Sequence, residues 1–291
     1  EWSEIDRQNI TDRYWKPNTK SDWKWSLSFP FFSILENYIK TNNNPIICGF
    51  SGLPGSGKST LGFWVDSVAR DLGLGIKVIS LDDFYLPGKE MDIAMKGNPW
   101  NVPRGFPGSH SLELLNQTLE VFLKTGVLNC PTFDKSLRDG KGDRSGWCEI
   151  ETKVLILEGW FLGCEPVLDL DRIDNLSEDK FNLNLSQVEK DYRVFIQESL
   201  IKYSQIWKML DKVWHLKSTN FNNTIMWKMQ QEEEMIEAKG SGLKGKDLTD
   251  FIRMIQASIP QQSLSLINSD TTVEINQDRR INNLITKKYQ F

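Results

Sequence analysis

The stretch GLPGSGKS at 52–59 constrains this chain more than any other feature. It satisfies the pattern G-x-x-x-x-G-K-[ST], and it is flanked as that pattern requires. Before it lies the apolar run PIICGF (45–50), which reads as a buried strand. After it, Leu61, Trp64, Val65, Val68 and Leu72 recur at helical spacing, and Gly73 offers a stop. Gly52, Gly55 and Gly57 are expected to let the backbone reach positive φ and turn its N–H groups toward a phosphate. The start of the helix adds its partial positive charge. A nucleotide site is therefore expected over Gly52, Leu53, Pro54, Gly55, Ser56, Gly57, Lys58, Ser59 and Thr60. Lys58 would reach the β- and γ-phosphates and the Ser59 hydroxyl would ligate Mg²⁺.

A loop of this kind needs a sheet behind it, and the rest of the chain supplies one. From residue 45 onward, short apolar runs alternate with longer periodic segments, which predicts β-α units on a mostly parallel sheet. IKVISL (76–81), KVLILEG (153–159), KVWHL (212–216) and TTVEIN (271–276) read as strands. Leu112, Leu115, Leu119 and Phe122 define a helical face closed near Gly126, and 222–239 and much of 165–210 read as helical. Residues 86–110, rich in Gly, Pro and Asn, read as a long functional loop. The expected fold class is α/β, with three layers, a central sheet flanked by helices, and an N-terminal helical annex over 1–44. The main domain spans 45–291, with helical substrate or lid insertions near 86–111, 165–210 and 222–260. Trp2, Trp15, Trp23 and Trp25 in the annex read as packing residues rather than a ligand cage.

Composition narrows the partners. A formal charge of −4 over 291 residues argues against a nucleic-acid surface, which needs a basic face, yet leaves room for a local cationic pocket. No apolar run approaches the roughly 20 residues needed to cross a bilayer. The four cysteines form no CxxC pair and the histidines number two, so a His/Cys zinc site is not expected. Reduced thiols in a cytoplasmic setting are the expectation. The first twenty residues resemble neither a signal nor a transit peptide, though the chain does not open with Met, so a preceding targeting segment stays an open alternative. Nothing in the sequence bears on oligomeric state.

A phosphate loop alone does not fix a reaction. Two acidic positions help. Asp82 and Asp83 end the 76–81 run, at the sheet edge where ligands bind in open α/β folds; either would accept a hydroxyl proton, or the pair would merely cap a turn. Glu158 ends a buried strand, where a carboxylate would serve a Mg²⁺-bound water or orient the nucleophile. The guanine-reading NKxD and the LSGGQ signature of transport ATPases are both absent.

ISLDDFYL (79–86) resembles the strand-end motif of the uridine kinase, phosphoribulokinase and pantothenate kinase superfamily of P-loop kinases. RGFPGSHS (104–111), PTFDKSLRDGKGDRS (131–145) and LEGWFLG (157–163) resemble D-glycerate 3-kinases of the plant type more closely than other members. The resemblance spans roughly residues 45–275 and implies transfer of the γ-phosphoryl group of ATP to a hydroxyl of D-glycerate, giving 3-phosphoglycerate. It also implies that Asp82 is the base, so that Lys58 of the phosphate loop and Glu158 of the strand end, read above from their positions, would act with it as the catalytic residues. A carboxylate substrate needs cations: Arg104 and Lys135 first, then Arg144 and His110, the last equally placed for a structural role before Ser111.

The chain departs from the plant pattern in one place. Where those enzymes carry two arginines around a Trp, it has Met226, Trp227 and Lys228. Lys228 is then either the lid's phosphate-contacting cation or one half of an exposed i, i+4 pair with Glu232. The competing functions are a uridine- or pantothenate-type kinase, an ATP-dependent regulatory switch without a small acceptor, and a degenerate nucleotide-binding module.

Overall fold

A computed structural model describes residues 9, 12–14, 21–167, 183–240 and 242–287. Six strands form the main sheet: β1 (Ile46–Gly52), β2 (Ile76–Ser80), β5 (Val154–Gly159), β6 (Lys212–Ser218), β7 (Thr271–Ile275) and β8 (Ile281–Thr286). Their spatial order is β2-β5-β1-β6-β7-β8, parallel throughout except for the antiparallel β7–β8 pair. β3 (Val127–Asp134) and β4 (Asp143–Glu151) form a separate antiparallel hairpin. The five strands read from sequence are all present; the hairpin and β8 are additions.

Side chains on a strand alternate between faces, so the two halves of each strand's sequence build two different cores. Cys48, Phe50, Val154 and Ile156 face one way, against Leu61, Trp64, Val65 and Val68 of helix α2 (Lys58–Asp71) and Phe31, Phe32 and Leu35 of helix α1 (Phe29–Thr41). Ile47, Leu155 and Leu157 face the other way. There they meet Leu115, Leu119 and Phe122 of α4 (Leu112–Thr125), Ile196, Leu200 and Tyr203 of α5 (Gln187–Trp207), and Met254 and Ile255 of a later helix (Gly245–Ala257). Helix, sheet and helix thus make the expected three layers. The α4 helix ends at Gly126 in the left-handed region at φ 74°, with its N–H bonded to the Phe122 carbonyl, as its sequence suggested.

The annex enters as Ser21–Trp23 and a π-helical turn, Lys24–Ser28, before α1. Trp23 is buried at 3% exposure, whereas Trp25 is 52% exposed and leans on Phe29, so the packing role read for the annex tryptophans does not extend to Trp25. Trp2 and Trp15 lie outside the described residues. The 86–110 stretch is not a plain loop, since it contains α3 (Gly88–Ala94). Helix α6 (Asn223–Lys239), the Gly245–Ala257 helix (α7) and the short α8 (Gln261–Ser265) follow β6. Among the described residues, no helix is long and apolar enough to cross a membrane.

Candidate functional site

The carboxyl ends of β1, β2 and β5 meet at one edge of the sheet, and a cleft of about 590 Å³ opens above them. Register fixes what stands there. Glu158 lies opposite Phe50 of β1 and Ser80 of β2, so the last residues of three adjacent strands point their following turns into the same space.

Beyond β1 the chain makes the phosphate loop and enters α2 through Gly57, whose φ is 107°; Gly55 has φ 74°. Side chains are excluded at both for a second reason. A Cβ on Gly57 would stand 2.6 Å from the Trp23 ring, and one on Gly55 would stand 2.6 Å from Trp227. Gly52 differs from the expectation: it is still in β1 and takes no positive φ, and its constraint is the Leu216 carbonyl 2.9 Å from where a Cβ would sit. Pro54, Gly55, Gly57, Lys58, Ser59 and Thr60 line the cleft, whereas Gly52, Leu53 and Ser56 are not among its lining side chains. The Leu53 carbonyl instead accepts from the buried Lys58 ammonium at 3.1 Å. Burial lowers the Lys58 pKa, and Glu158 and Asp82 oppose that shift.

Ser59 Oγ and Ser80 Oγ both donate to Glu158 Oε1, at 3.0 and 3.1 Å. Two hydroxyls and a carboxylate are hard oxygen donors of the kind that hold a small divalent cation. Among the described residues no group of three or more His, Cys, Asp or Glu could hold a metal ion.

The two aspartates after β2 have separate jobs. Asp83 completes a capping box on the 3₁₀ turn Leu81–Phe84, accepting from Ser80 N at 3.0 Å while Ser80 Oγ takes the turn's N–H. It also accepts from Phe133 N, and its burial raises its pKa. Asp82 is left free to face the cleft, where Lys135 Nζ donates to its Oδ2 at 2.6 Å. Burial alone would lift the Asp82 carboxyl, but Lys135 overrides it and holds the group well below the usual carboxylate range.

The remaining basic residues separate into those the fold brings here and those it does not. Lys228 lines the cleft, pairs with Glu232 and sits 4.8 Å over the Phe251 ring. The pair is buried, so Lys228 belongs to no exposed helix face; burial lowers its pKa. Arg104 is turned away, donating to the Gly140 and Lys141 carbonyls over the Phe133 ring. Arg144 is packed by Asp143 and Glu90 on the β4 side of the hairpin, and among the described residues its Nε and Nη2 have no hydrogen-bond partner. His110 bonds Tyr203 through Nδ1 at 2.7 Å and stacks on Tyr85, and burial pushes its pKa down to about 4, so it is neutral at pH 7. None of these three lines the cleft.

Gln230, Glu234, Asp278 and Arg279 line it without having been singled out from the sequence, and Trp23, read from the sequence as a packing residue, lines it as well. Arg279 Nε donates to the Gly55 carbonyl at 2.8 Å and its guanidinium covers Trp227, while Trp23 Nε1 donates to the Arg279 carbonyl. Only their tertiary pairing, across 256 residues in the case of Trp23, puts them beside the phosphate loop. Tyr85 and Trp160 also line the cleft, and both fall inside stretches quoted for the family resemblance.

Comparison with known proteins agrees with this geometry. No protein-family model matches the chain. It is 31% identical over 229 residues to "Uncharacterized kinase mug58" of Schizosaccharomyces pombe, covering 75% of this chain and 81% of the relative. It is 30% identical over 245 residues to the chloroplastic D-glycerate 3-kinase of Arabidopsis thaliana, covering 77% of this chain and 51% of that protein. The solved structure of a D-glycerate 3-kinase from Cryptococcus neoformans has the same fold, with TM-score 0.74 and 24% identity over 90% of this chain and 98% of that one.

Proposed function

The chain belongs to the family of ATP-dependent P-loop kinases that includes fission-yeast mug58, and from that premise we propose that it phosphorylates D-glycerate to 3-phosphoglycerate. One observation carries the reading: Lys58, Ser59 and Glu158 share a single cleft with Asp82, a carboxylate that the neighbouring Asp83 frees from capping duty. A regulatory switch without an acceptor has no use for Asp82 there.

In the proposed reaction the phosphate loop's N–H groups and the α2 N-terminus cradle the ATP phosphates, and Lys58 leaves the Leu53 carbonyl to neutralise charge on the γ-group. The acceptor hydroxyl gives its proton to Asp82 as its oxygen bonds the γ-phosphorus; the β,γ P–O bond breaks and ADP leaves. Ser59 and Glu158 fit a Mg²⁺ ion, which when bound would offset the charge of the phosphates. Gly105, Tyr85, Trp160 and Lys135 line the acceptor end, and Lys135 is the cation there that can meet a carboxylate. Trp23 and Arg279, against Gly57 and Gly55 of the phosphate loop, and Gln230, bonded to Arg279, would meet the nucleotide on that side of the cleft.

The D-glycerate assignment rests on the Arabidopsis relative's activity together with this cationic acceptor end. The four free cysteines, three of them buried, fit a reducing, cytoplasmic setting. The test is coupled ADP release with Mg²⁺ and ATP, comparing D-glycerate with L-glycerate, uridine, pantothenate and no acceptor. Strong stimulation by D-glycerate alone is expected. Stimulation by uridine or pantothenate instead overturns the acceptor, and hydrolysis indifferent to every acceptor overturns the kinase reading.

A further inference from the structure

One contact in the cleft opposes the proposed reaction. Asp82 must accept a hydroxyl proton, yet its Oδ2 already accepts a 2.6 Å hydrogen bond from Lys135. That bond takes one of the carboxylate's lone-pair directions, and a carboxylate held by a cation is a weaker base.

The cleft's three lysines are not equivalent. Lys58 is buried and bonded to the Leu53 carbonyl, and Lys228 is buried and paired with Glu232. Lys135 stands just past the end of β3 at the tip of the β3–β4 hairpin, its side chain 53% exposed. Among the described residues its ammonium makes its single hydrogen bond to Asp82. It is thus the cation that can move without breaking anything else. The groups that face Asp82 are Lys135 from the hairpin, Lys58 from the phosphate loop, Lys228 from α6, His110 from the segment before α4, and Tyr85 and Asp83 from its own turn. His110 is neutral, Lys228 is held by Glu232, Lys58 is committed to the ATP phosphates, and Tyr85 is an uncharged donor on the same turn, so the cation that can leave Asp82 is Lys135.

We propose that Lys135 gates Asp82: it remains on the carboxylate until an anionic group on the acceptor draws it off, so that only acceptors carrying a carboxylate or similar anion near their hydroxyl are phosphorylated. The proposal rests on the reading of Asp82 as the base. It gives Lys135 two linked actions, since the movement that grips the acceptor's anion also uncovers the base. The acceptor's carboxylate thereby acts on turnover and not on binding alone. Water and uncharged alcohols, having no anion to offer, leave the gate shut, and ATP is protected from wasteful hydrolysis in which the water proton would pass to Asp82 and inorganic phosphate would form.

The experiment compares wild type, Lys135→Met, Lys135→Arg and Lys135→Met/Asp82→Asn in acceptor-free ATP hydrolysis and in turnover of glycerol, which replaces the carboxylate of glycerate by an alcohol. Lys135→Met should raise both rates by about tenfold, the order expected when a base is released. It should also raise the KM for D-glycerate. Lys135→Arg should restore wild-type discrimination, and adding Asp82→Asn should remove the gain. Rates in Lys135→Met equal to or below wild type, or a gain that survives Asp82→Asn, overturn the gate. A wild-type enzyme indifferent to D-glycerate would sink the acceptor assignment, while the hydrolysis comparison would still decide the gate.

Discussion

Glu189 offers a prediction whose size can be worked from the geometry. It sits in the first turn of α5, with its side chain 8% exposed, and joins three pieces of the molecule that surround the acceptor side. Its carboxylate accepts from Arg253 Nε at 2.7 Å and Nη2 at 2.8 Å, from Trp100 Nε1 at 2.9 Å, and from Ser186 N at 2.9 Å. Burial alone would raise its pKa; these donors, with Arg253 foremost, bring it down to about 2. The unfolded chain holds such a group near ~4.3, so the folded state prefers the charged form by about two units, or roughly 3 kcal/mol. Arg253 is 32% exposed, and water screening reduces the contribution to about 2 kcal/mol.

Because the folded pKa is depressed, this stability is present in full above the unfolded pKa and is lost as pH falls through the folded one. Glu189→Gln keeps the shape and removes the charge. Urea unfolding should therefore show a loss of about 2 kcal/mol at pH 7, unchanged at pH 5 and smaller by about a third at pH 3.5. A variant within about 0.5 kcal/mol of wild type at pH 7, or a loss that does not change between pH 5 and 3.5, would refute the reasoning.

Two further outcomes follow from the phosphate loop's surroundings. Gly57→Ala meets both a φ of 107° and the Trp23 ring at 2.6 Å, so nucleotide-free unfolding should show a loss of about 1–3 kcal/mol, of which Trp23→Ala in the same chain recovers only the steric share. Arg279→Ala removes the bond to the Gly55 carbonyl and the cover over Trp227; initial-rate kinetics should show the KM for ATP raised about five- to tenfold with the KM of the acceptor unchanged.

What could be read in the sequence was what adjacent residues carry between them. The phosphate loop is contiguous, with its strand before it and its helix after, and the apolar runs of β1, β2, β5 and β6 are long enough to announce a buried parallel sheet. The β3–β4 hairpin was not legible because β4, DRSGWCEIE, is mostly exposed and β3 is interrupted by Pro131; neither shows the run or alternation that marks a strand. β8, INNLIT, is an exposed edge strand and fails for the same reason. In the site, position alone left Asp82 and Asp83 equivalent and only the family resemblance pointed to Asp82; the capping geometry of the turn adds a physical difference, because it occupies Asp83. Arg279 was invisible, and Trp23 was read only as a packing residue, because a side chain's value to a cleft formed by distant segments has no local signature. Arg104 was singled out for its charge, but its guanidinium is spent on hairpin carbonyls that no pattern foretells.

The central claim is phosphoryl transfer to an acceptor hydroxyl with Asp82 as its base, and phosphorus NMR of the products tests it most directly. With ATP, Mg²⁺ and D-glycerate, the wild-type chain should yield ADP and a phosphomonoester on the C3 hydroxyl, while Asp82→Asn should bind ATP normally and yield almost none. Inorganic phosphate as the sole new product from wild type, or undiminished ester from Asp82→Asn, would contradict the account.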